Sequence, residues 1–335
     1  MKAVELGAFG IDSLNVVDRP EPKPGHSQVL LKMRAWSLNY RDLLVVKGLY
    51  NPKLKLPFVP LSDGVGEVIA IGDGVTRVKV GDRVAGCFMQ SWLAGELTEA
   101  SLKTGLGGGP QGILAEQVVL SEEGVIHVPP HLTDEEAATL PCAALTAWHA
   151  LVVEGGTKAG DTVLVQGTGG VSIFALQFAK LLGARVIATS SSNEKLAQVR
   201  LMGASDGINY KETPEWEDRV RELTGGAGVD HVVEVGGAGT FNKSLKAVRI
   251  AGRIYLIGVL AGPGNVNIMP VLMKNVRVQG IFVGSREMFE AMNRAIALHQ
   301  LRPVIDRVFA FGEICAAIKH LESGAHFGKV CVRAG

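Results

Sequence analysis

A glycine-rich segment in the middle of the chain has the residue types that bind phosphate. Residues 163–166 are mostly apolar or β-branched and predict a buried strand, and an apolar stretch to residue 182 predicts a helix. Between them lies a turn made of Gly167, Thr168, Gly169, Gly170 and Val171. A strand, a glycine turn and a helix direct free backbone N–H groups and the positive helix end to one point, which suits a pyrophosphate. A second predicted strand at 185–189 supplies the context that a dinucleotide site requires.

The end of that second strand indicates which dinucleotide is bound. An NAD site usually has Asp or Glu here, which accepts a hydrogen bond from the ribose 2′-OH. This chain instead has hydroxyls and a cation at Ser190, Ser191, Ser192 and Lys195, which can donate to a 2′-phosphate. The alternative is that Ser191 caps the following helix and Glu194 completes a capping box, and both readings can hold together. Glu194 opposes a phosphate, yet the pattern as a whole favours NADP.

Length, charge and cysteine usage exclude several classes of protein. A chain of 335 residues exceeds the size of a single core, so two domains are expected. A net charge of +1 gives no broad basic field, so nucleic acid is not an expected partner. No apolar stretch reaches 18 residues, and the N-terminus has an acidic residue where a signal peptide would be apolar, so we expect a cytoplasmic protein without a membrane partner. The four cysteines are isolated, which indicates neither a disulfide framework nor a structural zinc.

The pattern along the chain divides it into a β-rich part, an alternating part and a short tail. Up to about residue 125, short β-type runs alternate with Gly and Pro, and 87–112 is expected to be a long mobile loop. From Thr133, which forms a capping box with Glu136, helices and strands alternate. The predicted strands are 163–166, 185–189, 208–210, 229–235, 253–257 and 275–283, and the helices between them are 170–182, 192–202, 215–224 and 240–248. This alternation predicts a doubly wound parallel sheet, and the tail after about 284 is expected to return to the first domain.

Several local motifs accompany this organisation. They are Leu38-Asn39-Tyr40-Arg41-Asp42, Pro60-Leu61-Ser62-Asp63-Gly64, Val80-Gly81-Asp82-Arg83-Val84, Leu145-Thr146-Ala147-Trp148 and Phe327-Gly328-Lys329-Val330. Over essentially its whole length the chain resembles the medium-chain dehydrogenase/reductase superfamily, and within it the zinc-free, quinone oxidoreductase-like branch. The resemblance implies an α/β protein with a Rossmann doubly wound parallel sheet, as the NADP-binding domain (143–283), and a β-rich GroES-like catalytic domain (1–142 and 284–335).

The chain departs from the zinc-containing alcohol dehydrogenases of that superfamily at the metal. The resemblance places Asn39 and Ser62 where those enzymes have a Cys and a His ligand, and only Cys142 matches a ligand. One soft ligand cannot fix a tetrahedral catalytic zinc, so no metal is expected and Cys142 is expected to be an ordinary buried cysteine.

The missing Lewis acid determines the expected chemistry. Removing hydride from an unactivated alcohol is difficult when nothing stabilises the alkoxide. A quinone or an α,β-unsaturated carbonyl accepts hydride at carbon and delocalises the charge onto oxygen, so hydrogen-bond donors and a proton source suffice. We therefore expect an NADPH-dependent oxidoreductase for quinones or enones.

The resemblance also assigns candidate residues. Asn39 would lie beside the nicotinamide, Tyr50 has the spacing of a catalytic tyrosine, and Tyr40 is the competing proton donor. Further cofactor contacts would come from Thr146, Tyr210, Gly236, Gly258, Phe282, Gly284 and Lys329. Each has a structural alternative: a loop aromatic packed under Pro52 for Tyr50, turn glycines, a core phenylalanine and a surface lysine.

Two other functions remain open. One is a metal-free alcohol dehydrogenase, which would need a base near Asn39, and Tyr40, Tyr50 or Asp63 are the candidates. The other is a non-catalytic NADPH-binding protein, against which the complete phosphate loop argues.

The last predicted strand, 275–283, is expected to lie at the edge of the sheet. Its apolar stretch would aggregate unless it is covered. In the superfamily, matching strands of two subunits pair across a twofold axis, which implies a homodimer, with a tetramer possible.

Overall fold

The chain divides into two compact units in the computed structural model, which describes residues 1–262 and 264–335. The first unit comprises Met1–Leu145 and Val283–Gly335, and the second comprises Thr146–Phe282. The first unit thus extends to Leu145, where the sequence predicted a boundary at 142, and the second ends at Phe282 where the sequence predicted 283.

Strands and helices follow one another in the order expected of a mixed α/β chain. The strands are β1 (Lys2–Leu6), β2 (Leu14–Asp18), β3 (Gln28–Ser37), β4 (Asp63–Ile71), β5 (Arg83–Gly86), β6 (Gln117–Ser121), β7 (Val125–His127), β8 (Thr162–Gln166), β9 (Arg185–Ser190), β10 (Asp206–Asn209), β11 (Val229–Glu234), β12 (Val248–Leu256), β13 (Arg277–Gly280), β14 (Ile305–Ala310) and β15 (Lys329–Arg333). The helices are α1 (Tyr40–Val46), α2 (Glu99–Leu102), α3 (Asp134–Ala138), α4 (Leu145–Trp148), α5 (Gly170–Leu181), α6 (Asn193–Leu201), α7 (Trp216–Leu223), α8 (Ala238–Ala247), α9 (Met269–Met273), α10 (Arg286–Leu298) and α11 (Ile314–Glu322).

The first unit is built on one mixed sheet. Its order is β14-β15-β3-β4-β5-β7, and β6 also pairs with β3. The long strand β3 is buried along most of its length, and Trp36 near its end donates from Nε1 to the carbonyl oxygen of Ile113 at 2.6 Å. Because a buried indole N–H needs an acceptor, this bond fixes the end of β3 against a neighbouring segment.

The C-terminal tail, which the sequence predicted to return to the first domain, contributes β14 and β15 to this sheet. β15 pairs antiparallel with β3, and Cys331 lies opposite Ser37. On the other side of β3, Asp63 of β4 also lies opposite Ser37. The end of β3 and the beginnings of β4 and β15 therefore lie side by side.

The second unit is the predicted doubly wound sheet. All its strand pairs are parallel, in the order β10-β9-β8-β11-β12-β13. Apolar and β-branched side chains of β8, β9 and β11 are buried beneath the helices, as expected for a parallel sheet covered on both faces. The predicted last strand, 275–283, was too long, because only Arg277–Gly280 forms the ladder with β12.

The edge position of β13 is confirmed, and its side chains are exposed. Apolar residues of α9, which precedes it, are exposed as well, among them Leu272 and Met273. An uncovered edge beside apolar side chains is a surface on which a second chain can add a strand.

We expect this edge to be covered in a homodimer. Val278 of β13 is 38% exposed, and Val308 of β14, at the edge of the other sheet, is 37% exposed. A lysine on an edge strand blocks pairing, so Val278→Lys should convert the dimer into a monomer in sedimentation velocity at micromolar concentration, whereas Val308→Lys should leave it a dimer. A wild-type monomer under these conditions would contradict the expectation.

Candidate functional site

The glycine turn joins β8 to α5 as the phosphate-binding arrangement requires. Gly167 has a φ of +71°, which favours glycine, and a Cβ there would meet no atom within 4 Å. Gly169 is the residue that caps α5, and Ser172 in the first turn donates from Oγ to the carbonyl oxygen of Gln166 at 2.6 Å. Ser172 thus links helix and strand where the glycine pattern has its third glycine. The N-terminus of α5 is open and suited to a phosphate group.

A buried carboxylate, which sequence reasoning missed, anchors the strand ends beside this turn. Glu234 at the end of β11 is fully buried, and its Oε1 accepts from the backbone of Gly236 at 2.8 Å and from Thr240 Oγ1 at 2.6 Å. Its Oε2 accepts from Gln166 Nε2 at 2.9 Å and from the hydroxyl of Ser244. One side chain therefore ties β8, β11 and α8 together. The signal was an acidic residue that ends an apolar strand just before two glycines.

The predicted hydroxyl residues Ser190, Ser191 and Ser192 lie at the end of β9 and directly after it. The backbone N–H of Gly167 donates to the carbonyl oxygen of Thr189 at 2.9 Å, and the backbone N–H of Tyr210 donates to the carbonyl oxygen of Ser190 at 3.0 Å. The carboxyl ends of β8, β9 and β10 therefore bring the glycine turn, Ser190 and Tyr210 to one edge of the second unit.

The capping residue of α6 differs from the prediction. Ser192, not Ser191, is the N-cap, because its Oγ accepts from the backbone N–H of Lys195 at 3.2 Å. The hydroxyl of Ser192 also donates to the Glu194 carboxylate. The alternative in which Ser191 and Glu194 form a capping box was therefore wrong.

The other predicted cofactor residues fall into both units. Thr146 is buried on α4, whereas Phe282 is partly exposed, so the core alternative for Phe282 was wrong. Gly258 has a packing reason to be glycine, since a Cβ there would come within 2.2 Å of the carbonyl oxygen of Val235. Gly284 belongs to the first unit, where a Cβ would meet the Leu145 side chain at 2.8 Å.

A polar cluster is buried in the first unit where β15, β3 and β4 lie side by side. Lys329, 3% exposed, donates from Nζ to the carbonyl oxygen of Leu38 at 2.5 Å and to Asn39 Oδ1 at 2.6 Å. Asn39 is 8% exposed and is the N-cap of α1. The surface alternative for Lys329 was therefore wrong: its ammonium is buried and bonded at the end of β3.

Two carboxylates and two cations give this cluster balanced formal charge. Asp42 accepts from the backbone N–H of Asn39 at 2.8 Å, and Arg41 lies 3.4 Å from its other oxygen. Burial raises the pKa of Asp42 to about 6, against the lowering effect of Arg41. Burial also raises the pKa of Asp63, while the charge of Lys329 opposes that rise. Each buried carboxylate thus has a basic side chain acting on it.

The donor set at the three expected metal-ligand positions does not fit a zinc ion. Ser62 donates to Asp63 Oδ1 at 2.7 Å, and the backbone N–H of Cys142 donates to Asp63 Oδ2 at 2.9 Å. Cys142 is the one soft ligand among the three, and it is half-buried where the sequence predicted a buried cysteine. A single soft ligand cannot fix a tetrahedral zinc. The Asn39 oxygen already accepts from an ammonium. Over residues 1–262 and 264–335, no three His, Cys, Asp or Glu side chains are grouped so that they could hold a metal ion.

The two candidate proton donors lie at the two ends of α1. Tyr40 is its first residue, and Tyr50 lies in the turn that follows it; both are partly exposed, Tyr50 by 40%. The Arg41 guanidinium carbon lies 4.8 Å from the centre of the Tyr50 ring. A Cβ on Gly108 would come within 2.3 Å of the Arg41 guanidinium, so a larger residue there would displace the end of the Arg41 side chain.

None of the helices in the described part of the chain is long and apolar enough to cross a bilayer.

Two family models match the two parts of the chain. The alcohol dehydrogenase GroES-like domain matches residues 25–130, and the zinc-binding dehydrogenase model matches residues 170–297. Among curated proteins, a zinc-type alcohol dehydrogenase-like protein of Schizosaccharomyces pombe is 42% identical, over 97% of this chain and 96% of its own length. The acryloyl-coenzyme A reductase of Metallosphaera sedula is 30% identical (92% and 93%), and the quinone oxidoreductase of Pseudomonas aeruginosa is 35% identical (78% and 74%).

Solved structures extend the likeness over the whole chain. A putative alcohol dehydrogenase from Sinorhizobium meliloti superposes with a TM-score of 0.92 at 44% identity, covering 99% of this chain and 98% of that one. The mycobacterial protein Rv1454c, complexed with NADPH, superposes with a TM-score of 0.84 at 30% identity, covering 99% of each chain. With these relatives, its GroES-like unit and its doubly wound sheet, the chain belongs to the medium-chain dehydrogenase/reductase superfamily of oxidoreductases.

Proposed function

We propose that this oxidoreductase is an NADPH-dependent reductase of quinones or α,β-unsaturated carbonyl compounds that works without a catalytic zinc. The observation that carries the proposal is the donor set at the metal-ligand positions. Asn39 is bonded to an ammonium and Ser62 to a carboxylate, which leaves Cys142 as the single soft ligand. These three residues do not fit the zinc ion that the names of some relatives imply.

The proposed substrate class follows from the chemistry that such a site can support. Without a Lewis acid, the acceptor itself must delocalise the charge that reduction places on it, as a quinone or an enone does. The acryloyl-coenzyme A reductase and the quinone oxidoreductase among the relatives are named for acceptors of this kind. Those names support the proposal for this chain.

The residues of the second unit fit a nicotinamide dinucleotide. The open turn at Gly167 and the N-terminus of α5 would hold the pyrophosphate. Ser190, Ser191 and Lys195 would hold a 2′-phosphate, whereas the Ser192 hydroxyl already donates to Glu194. Tyr210, next to Ser190 at the same edge, would border the adenosine. NADPH, when bound, supplies the hydride.

In the first unit, Tyr50 is the proposed proton donor and Tyr40 its competitor. Reduction of an enone leaves an enolate, a base strong enough to take a proton from a phenol. The Arg41 guanidinium over the Tyr50 ring would stabilise the phenolate that remains after the proton has left. Asn39 would donate a hydrogen bond to the substrate oxygen.

The test of the proposal is steady-state oxidation of NADPH with and without 1,2-naphthoquinone or 2-alkenals. Turnover that depends on either acceptor supports the proposed reductase. Turnover of alcohols with NADP⁺ alone would indicate a metal-free alcohol dehydrogenase, and tight NADPH binding without turnover would indicate a binding protein.

The first prediction concerns metal content. Because the donor set does not fit zinc, the purified protein should hold well under one zinc per chain, and its quinone or enone turnover should survive chelator. Elemental analysis before and after chelation checks this. Stoichiometric zinc that is lost together with activity would contradict the zinc-free proposal.

The second prediction concerns the cofactor. Lys195→Ala should weaken NADPH binding by about 1–3 kcal/mol, the range of a charge-assisted hydrogen bond, and should leave NADH binding nearly unchanged. Fluorescence titration with both cofactors measures this, and Lys180→Ala, on the preceding helix, is the matched control. If the Lys195 variant weakens both cofactors alike, Lys195 does not recognise the 2′-phosphate.

The third prediction concerns the proton donor. General acid catalysis contributes roughly 10²–10⁴-fold, so Tyr50→Phe should lower kcat for enones by about that factor without changing NADPH affinity. Quinones should lose less, because a hydroquinone anion is a weaker base and takes its proton from water. Parallel kinetics of Tyr50→Phe and Tyr40→Phe separate the two candidates. Full enone turnover by Tyr50→Phe would exclude Tyr50 as the donor.

A further inference from the structure

The side-chain amide of Asn39 is bonded to a buried ammonium. Cys331 and Asp63 both lie opposite Ser37, on β15 and β4, so Lys329 and Asp63 lie on opposite sides of the segment that contains Asn39. An ammonium has three donors and no acceptor, so the Asn39 atom bonded to Lys329 must be Oδ1. This pairing fixes the orientation of the amide, which heavy-atom positions alone leave open.

The amide nitrogen is then directed away from Lys329. Among the described residues, Asn39 Nδ2 has no hydrogen-bond partner, although it is buried. A buried donor without an acceptor costs free energy and calls for an explanation, such as a missing ligand.

We propose that Lys329 is a positioning residue whose ammonium holds the Asn39 amide so that Nδ2 donates to the carbonyl oxygen of the bound substrate. The inference rests on the proposed reduction of enones. Hydride from NADPH, added at the β carbon, moves an electron pair onto that oxygen, and a proton added at the α carbon completes the saturated product. A donor held in place before the reaction stabilises this charge without having to reorganise.

The buried charge of Lys329 supports this role over a purely structural one. A hydrophobic side chain of similar volume often stabilises a protein as well as a buried ion pair does. An ammonium at this position, however, accepts nothing and can only orient oxygens towards itself. The two oxygens that it orients are those of Leu38 and Asn39, at the end of β3.

Kinetics of single and double variants test the coupling between Lys329 and Asn39. Loss of one oxyanion donor lowers kcat by about 10²–10³-fold, so Asn39→Ala and Lys329→Met should each lower kcat for a 2-alkenal by that order, with the KM for NADPH unchanged. Because Lys329 acts through Asn39, the double variant should be no slower than the slower single variant. Lys329→Arg should restore part of the rate. Lys319→Met, an exposed lysine paired with Asp12, is the control.

Three results would overturn the proposal. They are full turnover by Lys329→Met, losses that multiply in the double variant, and a Lys329→Met variant with normal kcat but weak NADPH binding. The last would make Lys329 a cofactor-binding residue.

A second variant covers the case in which Lys329→Met does not fold. Asn39→Asp keeps an oxygen for Lys329 and an N-cap for α1, but it has no N–H. It should lose kcat as Asn39→Ala does, while its melting temperature stays closer to that of the wild type. Full turnover by Asn39→Asp would show that the amide N–H is not needed.

A measurement without turnover separates this inference from the proposed function. In protein labelled with ¹⁵N-asparagine, the side-chain amide resonance that disappears in Asn39→Asp should shift in Lys329→Arg and stay in place in Lys319→Met. If the wild type reduces neither quinones nor enones, the proposed function fails, and this resonance still reports whether Lys329 holds the amide. An unshifted resonance in Lys329→Arg would overturn the positioning role.

Discussion

The first unit depends on one buried cation at the end of its longest strand. The Lys329 ammonium joins β15 to the end of β3 through Leu38 and Asn39, and its charge acts on Asp63 at the start of β4. Without it, two oxygens would lose their donor and a fully buried carboxylate would lose a compensating charge. The same contact therefore links the pairing of β15 with β3 to the polar cluster.

In the second unit, a buried acidic side chain joins the neighbouring elements in the same way. Glu234 accepts hydrogen bonds from β8, from the loop after β11 and from α8, and all of its donors are neutral. A carboxylate with several donors can remain charged when buried, because each donor replaces part of the lost hydration. Both units thus place a buried ionic group where strands end, and these are the places where an α/β enzyme needs rigid loops.

Much of the fold could be predicted because its signals are local. Apolar strands that alternate with helices determine a parallel sheet, and the glycine turn marks the first strand of that sheet. The capping box at Thr133 was predicted and is present. Strand bounds were less accurate, since the last strand was predicted too long. Asn275 and Val276 continue the alternation of polar and apolar residues in β13, but they lie outside its ladder.

The remaining features could not be predicted, because they depend on contacts between residues that are far apart in the sequence. Ser191 and Ser192 are equally good caps in sequence, and only the backbone path distinguishes them. The burial of Lys329 follows from its pairing with a strand near the other end of the chain, and no local pattern records it. The role of Glu234 likewise needs Gln166 and Ser244, which come together only in the folded sheet. The resemblance to the superfamily, and not the spacing of the residues, indicated that the predicted site residues belong to two units.

The position of β15 also has a consequence for the order of folding. The contact between Lys329 and Asn39 joins residues 290 positions apart, so a chain emerging from the ribosome completes the second unit before β15 exists. Until then the last three residues of β3, 35–37, lack the partner that β15 supplies, and their unpaired backbone groups form a short exposed edge. The same strand that brings the lysine to its place therefore also ends the period in which the nascent chain is vulnerable to wrong strand pairing.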